Sequence, residues 1–157
     1  MQRTITAIVL FLVCINFVFG QNNALLAVRE KYKKAIDNQQ VCEQFITENF
    51  KTEINKNVID AYKACAVILL AKHSNNPYKK LQHFNTGKEM LEKNVQMNAN
   101  NVEIRFLRLA VQTNLPKLLN YSSNIKEDKS MILKNLNTIK NDKDLFEKIT
   151  TFLKSHY

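Results

Sequence analysis

A chain of 157 residues has room for one domain around one core and leaves little for a second. Two glycines and two prolines exclude a fold of many short strands and tight turns, and exclude most glycine-rich phosphate loops. The formal charge of +9 at pH 7 would attract anionic partners, but lysines are spread along the whole chain. No block reaches the run of about five or six like charges that marks a polyanion-binding tail. The charge therefore reads as a solvated basic surface, with no nucleic-acid partner expected.

Residues 1–20 read as a signal peptide: Arg3 precedes an apolar run from Ile5 to Phe19, interrupted only by Thr6, Cys14 and Asn16. Val18 and Gly20 stand at the −3 and −1 positions of a cleavage site before Gln21, so the expected mature domain is 21–157, periplasmic or extracellular. An uncleaved anchor is the alternative, since about twenty apolar residues can cross a bilayer. Acylation at Cys14 fits less well, because Val13 is large where a small residue is needed. The longest later apolar run, Ala64 to Ala71, is too short to span, so no membrane span is expected after cleavage. Removing Arg3 from the 23 basic residues, against 14 acidic ones, leaves a mature charge of +8.

The rest of the chain reads as all-α. Leu25, Val28, Tyr32 and Ile36 form a stripe at helical spacing, and Cys42, Phe45, Ile46 and Asn49 form a second. Val58 to Ala71 and Val102 to Val111 are apolar on more than one side, as central core helices are, and Ala61, Ala64 and Ala71 allow close approach of a neighbour. Leu81, Phe84, Gly87, Leu91 and Val95 make a third stripe. Ile132, Leu136 and Ile139 make a fourth, followed by Leu145, Ile149, Phe152 and Leu153. Asn100 with Glu103, Asn124 with Glu127, and Asn141 with Asp144 have the N-cap and N3 spacing of capping boxes. About seven helices are expected, near 23–36, 40–50, 57–73, 78–97, 101–114, 124–138 and 142–155, paired as antiparallel hairpins in a tetratricopeptide-like stack or a compact bundle.

Gly87, Leu91, Asn94 and Ala99 have the offsets of the small, aromatic, small and proline positions closing a tetratricopeptide repeat, with Asn94 and Ala99 departing from the pattern. Between Ile59 and Leu136, the stretches AYKACAVILLAKHSNNPYKKLQHFNTGKEMLEK, NNVEIRFLRLAVQTNLPKLLNY and NIKEDKSMILKNL resemble a family of small exported proteins of Bacteroidetes. The resemblance implies a bacterial, extracytoplasmic, helical protein and carries no activity with it. It also makes the sequon Asn120-Tyr121-Ser122 irrelevant to glycosylation.

Arginine is the informative residue type. The mature chain holds three, Arg29, Arg105 and Arg108, against 19 lysines, and two of them fall within one turn of a core helix. Arg105, Arg108 and Gln112 share one helical face, where bidentate forks suit a partner's carboxylate or phosphate in a groove. The competing reading is internal pairing with a neighbouring helix, through Glu89 or Glu92. The connection from His73 to Phe84 gathers polar and aromatic groups, and His73 and Tyr78 are candidates for partner contact, while Tyr78 and Phe84 also suit stapling of a hairpin. Cys42 and Cys65 could form a disulfide after export or remain buried thiols. His73 and His83 match no metal-ligand spacing, and neither a metal nor a cofactor is expected.

No serine nucleophile elbow, activated cysteine, carboxylate pair or phosphate loop is present, so the chain does not read as an enzyme. The reading is an exported helical interaction module that binds a protein or peptide at the cell envelope. The alternative is a small-ligand or lipid carrier with an apolar cavity, and a third reading is an anionic-surface binder using the +8 charge.

Overall fold

The structure, a computed structural model, describes residues 24–50 and 55–157. The expected leader over 1–20 and the cleavage point at Gln21 lie outside the described residues. Within the described residues seven α-helices follow one another without a strand: α1 (24–35), α2 (Gln39–Thr47), α3 (Lys56–His73), α4 (Pro77–Met97), α5 (Val102–Asn114), α6 (Ile125–Asn135) and α7 (Lys143–His156). Short 3-10 turns occupy Lys117–Leu119 and Leu136–Ile139. The all-α expectation holds. Among the described residues no helix is long and apolar enough to cross a membrane.

Two expected helices end early. The chain leaves α2 at Glu48, whose extended backbone (φ −64°, ψ 134°) turns Phe50 back onto the Phe45 ring at 5.3 Å. The expected 124–138 helix is α-helical only to Asn135 and tightens into the 3-10 turn that follows. The capping assignments also move. Asn101, not Asn100, caps α5 by accepting from Ile104 N at 3.1 Å, and Asp142, not Asn141, caps α7 by accepting from Leu145 N at 3.2 Å. Asn124 precedes α6 but does not cap it, because its Oδ1 accepts from Gln112 Nε2 and Ser123 Oγ instead. At α5 and α7 the adjacent residue supplies the capping oxygen, and at α6 tertiary and neighbouring donors take the oxygen of Asn124.

α3 and α4 form an antiparallel hairpin. Asn76 turns the chain by accepting from Tyr78 N and Lys79 N at 2.9 and 3.2 Å, with Pro77 preset for the first helical turn. At the far end Asn94, where the repeat pattern wants a small residue, is buried and donates to the Asn57 carbonyl at 2.9 Å. Between these ends the helices touch at Gly87, where an added Cβ would lie 2.6 Å from Ile68 Cγ1 and 2.7 Å from the Ala64 carbonyl oxygen. Of the alanines expected to permit close approach, Ala64 does so, opposite Gly87.

α3 is buried on several sides, from Val58 to Ile68, and carries the larger core with α1, α2 and α4. Tyr32 joins it edge-on to Tyr62 at 5.1 Å and tilted to Phe45 at 5.9 Å. α5 shares in two cores: Ile104 and Leu107 face the larger one, while Val102 and Leu109 face a second core with Ile132, Leu145 and Ile149 of α6 and α7. Arg29 of α1 reaches Asp142 and Asp144 at the start of α7, which ties the first described helix to the last.

The disulfide weighed for Cys42 and Cys65 is absent, and both are free buried thiols. Cys42 Sγ donates to the Ala66 carbonyl at 3.2 Å. Burial raises the thiol pKa to about 11 at Cys42 and about 12 at Cys65, which keeps both neutral. They pack as small apolar side chains.

The contact at Gly87 makes a test of this packing. Alanine is the better helix former by about 1 kcal/mol. Here its methyl meets backbone atoms that cannot retreat, so Gly87→Ala should destabilise the bundle by about 1–3 kcal/mol in urea unfolding. A gain in stability would show that α3 and α4 are not in contact at this point.

Candidate functional site

α5 has four sides. At about 100° per residue, its two apolar stripes are separated by two polar ones, Glu103 on one side and Arg105, Arg108 and Gln112 on the other. Each polar stripe meets opposite charge on a different helix. All three arginines of the described residues are buried there, between 3% and 7% exposed.

On the first side, Arg29 of α1 forms a bidentate pair with Glu103, at 2.7 and 2.8 Å. It also donates to Asp142 at 2.7 Å and Asp144 at 3.2 Å at the start of α7. Tyr62 of α3 donates to Glu103 at 2.9 Å, so one carboxylate links three helices. Burial alone would lower the Arg29 pKa, but hydrogen bonds and charge from Glu103 and Asp142 outweigh it and hold the guanidinium charged. Asp142 shows the reciprocal effect: burial would raise its pKa, and the bonds to Arg29 and Leu145 N bring it below the usual carboxylate value.

On the second side, the fully buried Asp128 of α6 faces both arginines. Arg108 grips it in a fork at 2.7 and 2.8 Å and reaches Glu92 of α4 at 2.7 Å. Arg105 Nε lies 2.8 Å from Asp128 Oδ1 without the alignment of a hydrogen bond, while its Nη2 donates to the exposed Glu127 at 2.5 Å. Tyr121 donates to the other oxygen of Glu92 at 2.6 Å, and burial beside that carboxylate pushes the phenol well above its usual pKa. Gln112 donates to Asn124, and its buried Oε1 has no partner among the described residues. The arginine stripe proposed for an external carboxylate or phosphate is therefore occupied from inside. Of the two internal acceptors weighed from the sequence, Glu92 takes part; Glu89 is exposed and does not.

The α3–α4 connection behaves differently. His73 Nε2 lies 3.3 Å from the Ala35 carbonyl, and Lys72 donates to the Ile36 carbonyl and to Asp37, so this segment closes over the end of α1. Tyr78 does not staple the hairpin: it is 77% exposed, and Leu81, assigned to the buried stripe, is 53% exposed. Phe84 is buried, with its ring 6.0 Å from that of Tyr121, and so ties α4 to the connection that follows α5. Lys88 lies over the same Tyr121 ring at 5.0 Å. Tyr78, Leu81 and Lys88 share one stripe of α4, so the 116–121 connection packs beside that stripe and carries Leu118, 94% exposed, to the same end of the molecule.

Sequence reasoning missed Leu118, which sits on a connection outside any helical stripe. It also missed Asp128, for which there was a signal: an acid at the i−3 and i+4 spacing from Ile125 and Ile132 stands in the buried face of its own helix. Among the described residues, no group of three or more His, Cys, Asp or Glu is placed to hold a metal. A depression of about 510 Å³ between α5 and α7, lined by Phe106, Lys148, Thr151 and Phe152, opens broadly to solvent.

Removing the shared carboxylate should be severe. Asp128→Ala leaves two guanidiniums buried with partial compensation and should cost about 3–5 kcal/mol in chemical unfolding, whereas Glu127→Gln, at an exposed partner, should cost under about 1 kcal/mol. Equal effects would show that the buried pair is not distinct from a surface one. A second expectation concerns pH. Asp142 and Glu127 have folded pKa values below their unfolded ones, so their stabilisation is complete above the ordinary carboxylate range and is lost as pH falls through the folded values. Thermal midpoints should hold from about pH 7 to 5 and decline below about 4; a flat profile to about pH 2 would contradict it. Comparison with known protein families, curated proteins and solved structures found no match, so the roles of these residues rest on their own geometry.

Proposed function

We propose that the protein is an exported, non-catalytic docking module of the cell envelope that engages its partner through the end of the bundle formed by Tyr78, Leu81 and Leu118. One observation carries this reading: three large apolar side chains lie exposed on two segments joined by the Phe84–Tyr121 contact. Tyr78 was already a candidate partner residue from the sequence, and His73 holds the adjoining turn to α1. Arg105, Arg108 and Gln112 act in this reading as the interior brace that sets the geometry of α4, α5 and α6, not as the contact itself. Export rests on the apolar run from Ile5 to Phe19 and on the resemblance to small exported proteins of Bacteroidetes.

Exposed apolar side chains cost little to replace in the free protein, so the site separates cleanly from the fold. The test is fractionation of cells secreting the full chain or its Tyr78→Ser/Leu81→Ser/Leu118→Ser variant. The wild type should sediment with the envelope, and the variant should shift to the soluble extract with unchanged helicity and thermal midpoint. Equal distribution of the two would refute docking through this end.

A further inference from the structure

We infer that the partner of this end is the anionic face of a lipid bilayer, an inference that rests on the docking reading above. The charge around the three apolar residues is one-sided. Lys79 and Lys80 lie between Tyr78 and Leu81, Lys117 adjoins Leu118, and all three lysines are exposed with no carboxylate partner among the described residues. Residues 61–88 and 104–126 contain no Asp or Glu, and of the acids that follow them directly Glu127 and Asp128 are held by Arg105 and Arg108, while Glu89 is exposed. Asp37, carried there by the α1–α2 turn, is already paired with Lys72 at 3.1 Å.

The interior explains this imbalance. Six carboxylates, Glu92, Glu103, Glu127, Asp128, Asp142 and Asp144, are engaged by the three arginines. They leave the lysines of the surface with fewer counter-charges than the formal total suggests.

The shape of the end selects the occupant. Leu118 projects from a tight connection whose next turn residue, Asn120, adopts the left-handed conformation (φ 47°), and Tyr78 and Leu81 project from the first turns of α4. The apolar groups stand exposed, and none of them lines the depression described against α7. Protein partners recognise anchors by enclosing them in rigid pockets. A bilayer interface accepts projecting leucines into its acyl boundary, a tyrosine at headgroup depth, and lysine ammonium groups at the phosphates. Lysine stems extend along such a boundary while their charges stay in water. Since none of the described helices can span the bilayer, the contact is peripheral.

The experiment uses the secreted protein as recovered from culture, wild type and variants sharing the same N-terminus, sedimented with protein-free vesicles. Vesicles of equal parts phosphatidylcholine and phosphatidylglycerol should retain the wild type, pure phosphatidylcholine should not, and added salt should release it. Leu81→Ser/Leu118→Ser should weaken partitioning at least about tenfold, and Lys79→Glu/Lys80→Glu/Lys117→Glu about a hundredfold. If the wild type binds the envelope but ignores anionic vesicles, docking stands and the lipid partner is refuted. If it binds neither, both readings fall. Vesicle binding unchanged by either variant would assign the attraction to the lysine surface at large and overturn the role of this end.

Discussion

Three guanidiniums must be held inside a bundle that has little interior to spare, and most of the architecture follows from how their charge is balanced. An unpaired buried charge costs several kcal/mol, so each arginine is met by at least two carboxylates drawn from other helices. α5 carries the exchange on both of its polar sides. Glu103 accepts from α1 and α3, while Arg105 and Arg108 reach α4 and α6. Because the partners belong to helices distant in sequence, the pairs fix which helices meet and at what register. The apolar stripes between them supply burial without specifying that arrangement.

The choice of arginine in a lysine-rich chain has a physical reason at these positions. A flat fork satisfies both oxygens of Glu103 or Asp128 at once, which an ammonium cannot do. Lysines, with a compact and strongly hydrated charge, are left at the surface. The division has an electrostatic consequence: six acids are taken up by the three arginines, and the end of the molecule where α4 begins carries the exposed Lys79, Lys80 and Lys117. Exposed apolar side chains, Tyr78, Leu81 and Leu118, lie at that same end, where α4 begins and where α5 hands over to α6.

The close contact of α3 and α4 supports this end from within. Gly87 brings the helices together at their middle, Asn94 binds the start of α3, and Phe84 holds the connection that presents Leu118. Tyr121 serves both systems, with its ring on Phe84 and its hydroxyl on Glu92, which Arg108 also holds. The ionic interior and the exposed end are thereby mechanically continuous.

Seven helices and their approximate limits were readable from the sequence, because scarce breakers and a 3.6-residue apolar period are local properties of the chain. So was the central place of α3 and α5, whose apolar residues run around more than one side. The direction in which Arg105 and Arg108 act was not readable: the same face serves a groove or a neighbouring helix, and only the approach of Asp128 and Glu92 decides between them. Capping was misplaced by one residue at Asn101 and Asp142 because adjacent polar residues offer equivalent local boxes. Leu81 belonged to an apolar stripe and Tyr78 read as a staple or a partner contact, yet both lie uncovered, which no local spacing indicates. Helix identity is set within a few residues of chain; which faces end covered, paired or bare is set by the elements that arrive from elsewhere.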